Sequence, residues 1–119
     1  MKKFLVLYKA PMSAMQQMAN ATAEEAKAGM DAWMAWAKKA GNAVVDLGAP
    51  LGNVKNVSEA PIASSSTQAV GYSILQADSM DAIMELLREH PHGHVPQFSI
   101  EVFECLALPS EQAKQPSAA

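Results

Sequence analysis

Three histidines stand at alternating positions in REHPHGHVP, as His90, His92 and His94, and the chain has no others. Imidazoles so spaced offer three kinds of chemistry. Neutral rings ligate zinc. A ring titrating near neutrality shuttles protons. A histidine in the last turn of a helix complements the helix dipole, with Pro91 stopping the helix and Gly93 allowing the chain to turn. The sequence favours this last, structural reading. A proton-transferring or ligand-facing role for His92 or His90 comes second. Metal binding comes third, because Pro91 and Gly93 describe a loop and no thiol lies nearby in sequence to complete a tetrad.

Asp46 is the best candidate acid. It interrupts the apolar run AVVDLG, so it faces either solvent or a cleft. In a cleft, desolvation would raise its pKa toward that of a general base. Asp31, between Met30 and Trp33, is expected on a solvated helix face. Trp33, Trp36 and several of the eight methionines could line an adaptable apolar pocket, although at helical spacing such residues more often form core. Tyr8 and Tyr72 each offer an apolar ring with a polar tip that could reach the same cleft. Cys105, in a strand-like run, is expected to be a buried small hydrophobe. The Ser64-Ser65-Ser66 run lacks the glycine pattern and following helix of a phosphate loop and is expected to be a plain loop.

Regular elements must position these side chains. FLVLY (residues 4–8) is an apolar run ended by Pro11, and its length and aromatic content predict a strand. Met12, Met15 and Met18 recur every three residues and suggest a short helix. Thr22 and Glu25 have capping-box spacing, and Ala26, Met30, Trp33, Ala37 and Ala40 then mark one face of a helix over 22–40. Lys38 and Lys39 suit its C-terminal dipole, and Gly41 can supply a left-handed exit. A second strand is expected over 43–47, followed by a Gly-Pro turn. Residues 52–69 read as a long connection, with room for a short strand at its start. A third strand is expected over 70–77. Asp78 or Ser79 can cap a helix whose apolar face is Met80, Ile83, Met84 and Leu87. A fourth strand is expected over 98–108, and residues 109–119 form a polar tail expected to be disordered.

The order β-α-β-β-α-β is the ferredoxin-like split βαβ pattern, an α+β fold with a four-stranded antiparallel sheet and two helices on one face. A single domain over 1–108 accounts for most of the 119 residues. In the first strand Leu5 and Leu7 point to one face, and Phe4, Val6 and Tyr8 to the other. Both faces are therefore apolar, and two helices cover only one of them. A second copy of the same sheet is the simplest cover for the other, which predicts a homodimeric α+β barrel.

Bulk composition narrows the partners. A net charge of −3, with no basic stripe, argues against nucleic acid. No run approaches the roughly 18 apolar residues of a membrane span. The start MKKFLVLYKAP has too short an apolar run for a signal-peptide core. A single cysteine allows no intrachain disulfide and fits a reducing, cytoplasmic setting.

AGNAVVDLGAPL after the first long helix, and HPHGHVPQFSIEVFE after the second, resemble the YCII-related domain family. Members of that family often carry a His-Pro-His stretch leading into a strand of the type x-I-E-V, here His90-Pro91-His92 and Ser99-Ile100-Glu101-Val102. Gly48-Ala49-Pro50 is similar to the family's glycine-proline segment. The resemblance covers about residues 3–108 and implies a dimeric α+β barrel with a cleft beside the first long helix. It also implies, for some members, an enzymatic His-Asp pair on that helix. The corresponding positions here hold Met30 or Asp31 and Lys39, so the pair is not carried over. IASSSTQAVGY occupies the stretch where the family's DGPF motif would fall.

The expected function is binding of a small, largely apolar or aromatic metabolite between the 22–40 helix and the sheet. Tyr8, Trp33, Tyr72 and His90 are the expected ligand contacts. Asp46 and His92 would carry any acid–base chemistry, without a metal or an organic cofactor. The alternative is a non-catalytic dimeric binding or interaction module.

Overall fold

The computed structural model describes residues 1–62 and 67–108. The serine run at 64–66 and the tail from 109 onward lie outside the described residues. The elements are β1 (Lys2–Ala10), α1 (Ala14–Asn20), α2 (Ala23–Ala40), β2 (Val44–Asp46), β3 (Gln68–Ala77), α3 (Met80–Leu87) and β4 (Ser99–Glu104). Short 3-10 turns at Gly41–Ala43 and Pro91–His94 lead into β2 and toward β4.

The four strands form one sheet in the order β2-β3-β1-β4, with every neighbouring pair antiparallel. This arrangement is compatible with a ferredoxin-like α+β fold. β1 lies in the middle, and its side chains alternate between two environments. Phe4, Val6, Tyr8 and Ala10 are buried, while Leu5, Leu7 and Lys9 are half-buried. Phe4 lies opposite Leu75 and Val6 opposite Ser73, so these residues share the helix-covered face. Trp36 from α2 and Ile83 and Leu87 from α3 complete the core there. Burying each large side chain of this layer contributes roughly 1.5–3 kcal/mol. The Trp36 indole N–H donates to the Leu86 carbonyl at 3.1 Å, which ties α2 to α3.

Local signals explain where the helices begin and end. Thr22 and Glu25 form the expected capping box, with Glu25 N–H donating to the Thr22 hydroxyl and Thr22 N–H to the Glu25 carboxylate. Those bonds hold the Glu25 carboxyl below its usual range. Gly41 supplies the exit at φ +56°. Ser13 and Gln16 form a second capping box that starts α1. Ser79, rather than Asp78, caps α3 by accepting from Ala82 N–H.

Several expectations shift. β2 is shorter than predicted, because Ala43 belongs to the preceding 3-10 turn. The connection from 52 shows no strand at its start among the described residues. Instead the chain just before it lies along β3, with Leu51 N–H donating to Val70 O and Tyr72 N–H to Ala49 O. β4 ends at Glu104 rather than running to 108. Cys105 is exposed, not the buried residue expected: it follows the last residue of β4, and its N–H still donates to Lys3 O at the sheet's end. Asp31 is exposed as expected and pairs with Lys27 one turn earlier. Among the described residues, no helix is long and apolar enough to cross a membrane.

Candidate functional site

The histidine segment does something other than end a helix. α3 stops at Leu87, and the segment folds as the separate turn Pro91–His94. His90 caps this turn: its Nδ1 accepts from the His92 backbone N–H at 3.0 Å. The remaining ring proton is thereby placed on Nε2. His90 is fully buried. It stacks on Tyr8 with centroids 4.8 Å apart, and makes edge contacts with Trp33 at 4.3 Å and Trp36 at 4.4 Å. Burial pushes its pKa down to about 4, and His92 and His94 press the same way. A neutral ring three residues beyond the helix cannot complement the dipole, which corrects the helix-ending expectation for His90.

His92 is also buried. Its Nε2 donates to the Lys9 carbonyl at 2.9 Å, joining the turn to the end of β1. Burial lowers its pKa, against the opposing influence of the Lys9 and Ser99 backbones. His94 is exposed and its Nε2 donates to Arg88 O. Each of the three rings is thus engaged with a different backbone group. Among the described residues, no three His, Cys, Asp or Glu side chains gather as a metal site.

Tyr8 links this buried cluster to a cavity of about 280 Å³. Its inner wall is Tyr8, Trp33 and His92; its outer wall is Ala14, Gln17 and Met18 of α1 with Met30 of α2. Backbone from Leu47 to Pro50, with Val70, Gly71 and Tyr72 of β3, closes the side. The Tyr8 hydroxyl donates to Ser73 Oγ at 2.9 Å, and Ser73 Oγ donates to Leu47 O at 2.6 Å. Burial raises the Tyr8 pKa, only partly offset by that bond to Ser73. Tyr8 and Trp33 meet edge to face with centroids 4.6 Å apart. A second concavity of similar size, lined by residues such as Met84, Arg88 and Phe98, holds none of the predicted site residues.

Two glycines shape this wall. Gly48 has φ +86°, and a Cβ there would lie 1.7 Å from the Tyr72 carbonyl oxygen. Only glycine fits, and its presence brings the Leu47–Pro50 turn against β3. Gly71 lies opposite Tyr8 across the ladder, where a Cβ would sit in contact with the ring, 3.4 Å from Tyr8 Cδ2.

The structure therefore brings Tyr8, Trp33 and His92 to one cavity; Tyr72 borders it from β3, but its side chain lies beside Leu7 on the other face of the sheet. His90 lies behind the wall, supporting Tyr8 and Trp33 from the core. Asp46 stands apart, exposed at the end of β2 and outside the cavity wall. Its Oδ1 accepts from Gly48 N–H at 2.9 Å, and its Oδ2 lies 3.5 Å from the Tyr72 hydroxyl. It thus braces the turn, and with Tyr72 it lies on the sheet face away from the cavity. Gln17 and Met18 were not predicted as site residues. The three-residue methionine spacing pointed to a helix there, but nothing in sequence set it beside β3. No protein-family model matches the chain, and no curated protein matches it.

Proposed function

We propose that this chain is a divergent YCII-related domain that binds a small, largely apolar or aromatic metabolite in the cavity between α2 and the sheet. The observation that carries the reading is the convergence of Tyr8, Trp33 and His92, from three separate elements, on one concavity whose side is closed by β3 at Val70–Tyr72. A concave, mostly apolar site with few polar groups is the usual form of a small-molecule pocket. Met18 and Met30 add polarizable side chains that adapt to ligand shape.

A second reading, a non-catalytic binding module, is favoured by Asp46. Acid–base chemistry needs groups within reach of one reacting atom. The Asp46 carboxylate is engaged by Gly48 N–H outside the cavity wall, and His92 Nε2 is engaged by Lys9 O. Asp46 shares the face of Ile74, away from the helices, so any proton transfer in the cavity would fall to His92 without it.

The uncovered sheet face supports pairing with a second copy. Leu5 lies between Ile74 and Phe103, and Leu7 between Tyr72 and Glu101, on the face opposite the helices. Phe103 is 46% exposed. Sheet-on-sheet packing would bury this layer. The free Cys105 is in keeping with a reducing, cytoplasmic setting.

The test is a screen of small aromatic compounds by tryptophan fluorescence, repeated with Trp33→Leu, Asp46→Asn and His92→Ala. Binding lost in Trp33→Leu supports the cavity. Turnover lost in both Asp46→Asn and His92→Ala supports catalysis, whereas binding without turnover in the wild type supports the module. Sedimentation showing a stable monomer at micromolar concentration rules out the dimer.

A further inference from the structure

Oxidisable sulfur stands on the outer wall of the cavity. Met18 of α1 and Met30 of α2 both line it, and they are 67% and 60% exposed. A thioether so placed meets dissolved peroxide without any opening of the fold, and methionine in that setting is oxidised to its sulfoxide. The inner wall holds no sulfur: it is Tyr8, Trp33 and His92. Cys105, the one thiol of the chain, follows the end of β4 and takes no part in the cavity. Met18 and Met30 stand on the helix side of the sheet with Tyr8, so pairing of two copies through the open face leaves them accessible.

Oxidation at these two positions acts on the site and spares the fold. α1 has no buried residue, and the first half of α2 is exposed, so a polar group on either stays in water and disturbs no packing. The cavity responds differently. Among the described residues, no Lys or Arg lines it to pair with a sulfoxide oxygen. The Tyr8 hydroxyl and His92 Nε2 are engaged with Ser73 and Lys9, and Gln17 Nε2 has no accessible surface. A sulfoxide pressed against an apolar ligand therefore loses water without gaining a donor. One that turns back to solvent withdraws its side chain from the wall and leaves the ligand uncovered.

Resting on the cavity as a site for a largely apolar ligand, we propose that Met18 and Met30 are peroxide-sensitive modification sites, and that their oxidation to sulfoxides makes the cavity release that ligand. A sulfur lone pair attacks one oxygen of hydrogen peroxide, and the O–O bond breaks. The departing hydroxide takes the proton from the transferred oxygen and leaves as water. The thioether is oxidised by two electrons and the peroxide is reduced by two. Thiol-dependent methionine sulfoxide reductases return the sulfoxide to the thioether, so the change is reversible.

The probe is N-phenyl-1-naphthylamine, an uncharged aromatic whose fluorescence rises in apolar surroundings. It is titrated into full-length protein carrying Cys105→Ser, which removes thiol chemistry. 13C-labelled methionine methyls show in the same samples which methionines carry oxygen and which of them feel the probe. After hydrogen peroxide, Met18 and Met30 are oxidised ahead of the half-buried Met12 and Met80. Affinity then falls by about 5-fold or more, as for a polar group desolvated without a partner, while the melting temperature holds. Methionine sulfoxide reductases A and B with dithiothreitol restore the affinity. Met18→Leu/Met30→Leu, apolar and close in volume, keeps its own starting affinity through the same treatment, although Met1, Met15, Met34 and Met84 stay exposed to peroxide. Where the double variant does not bind the probe, each single variant gives the comparison and loses less than its parent. Undiminished affinity once Met18 and Met30 are oxidised, or an equal loss in the leucine variants, overturns the proposal and leaves the cavity standing as a binding site. A loss that the reductases do not reverse, or one that tracks a fallen melting temperature, overturns it too. If the probe moves neither the Met18 nor the Met30 methyl in untreated protein, the cavity reading itself fails and this inference with it.

Discussion

The two walls of the cavity are built on different principles. The inner wall is the surface of the core: Tyr8 is 1% exposed and His92 7%, and behind them His90 contacts Tyr8, Trp33 and Trp36. The outer wall is α1, which has no buried residue, and the exposed first half of α2. Met18 and Met30 line the cavity while remaining 67% and 60% exposed. A capped but unpacked helix keeps its local shape while gaining little from the rest of the fold. The inner wall is therefore preorganised and the outer wall adaptable. That division suits a site that must hold one end of a ligand firmly and tolerate variation at the other.

Four measurements test this contrast, ordered by expected size. Phe4→Ala, in the layer that supports the inner wall, should cost about 3–5 kcal/mol in urea denaturation. A smaller cost would mean that the core relaxes around the loss and is less rigid than the packing implies.

Acidification comes next. The His90 pKa falls from 6.5 in the unfolded chain to about 4 in the folded protein. Between those values the unfolded chain binds a proton that the folded one refuses. Stability is thus fully present above about pH 6.5 and is lost as the pH falls toward 4, by roughly 3 kcal/mol. His92, lowered by burial as well, adds to the loss in the same direction. Denaturation followed across this range in the wild type and in His90→Phe should show a shallower dependence in the variant. An identical slope would remove His90 as its source.

Gly48→Ala should cost about 2–3 kcal/mol, because it forces a side chain into a left-handed backbone against the Tyr72 carbonyl. It should also weaken ligand binding by displacing the Leu47–Pro50 wall, which a fluorescence titration would detect. The smallest effect belongs to the outer wall. Met15→Ala, on the exposed part of α1, should change stability by no more than about 0.5 kcal/mol. A large loss there would mean that α1 is held by contacts absent from the isolated chain, such as a second copy.

The sequence revealed periodicity more readily than placement. The alternation in β1 and the capping box at Thr22 both follow local rules, so the α+β order was legible from 3.6- and 2-residue patterns. Tyr8, Trp33, Tyr72 and His92 could be picked out by residue type, since amphipathic rings and imidazoles are sparse in this chain. Trp36, the most buried residue of α2, was legible as core from its type and its helical spacing after Trp33. The role of His90 was not legible. A Pro-bounded histidine after a helix looks like a terminator. Its burial depends on Tyr8, 82 positions earlier in the chain. Gln17 was equally silent, since nothing local sets α1 beside the cavity. Asp46 had the right chemistry by type, but the Gly48 turn draws its carboxylate to the backbone.

The position of β1 affects how the molecule is made. It is the first strand in the chain, yet it occupies the middle of the sheet, between β3 and β4. At ordinary rates of translation, on the order of several seconds separate the emergence of β1 from that of β3, and β4 follows later still. Throughout that interval Phe-Leu-Val-Leu-Tyr is a bare apolar strand with two unsatisfied edges, a sticky intermediate of the kind chaperones shield. The nascent domain cannot settle hairpin by hairpin, because its central ladders close only when distant segments return. Rapid overproduction should therefore yield inclusion bodies more readily than slow synthesis at low temperature.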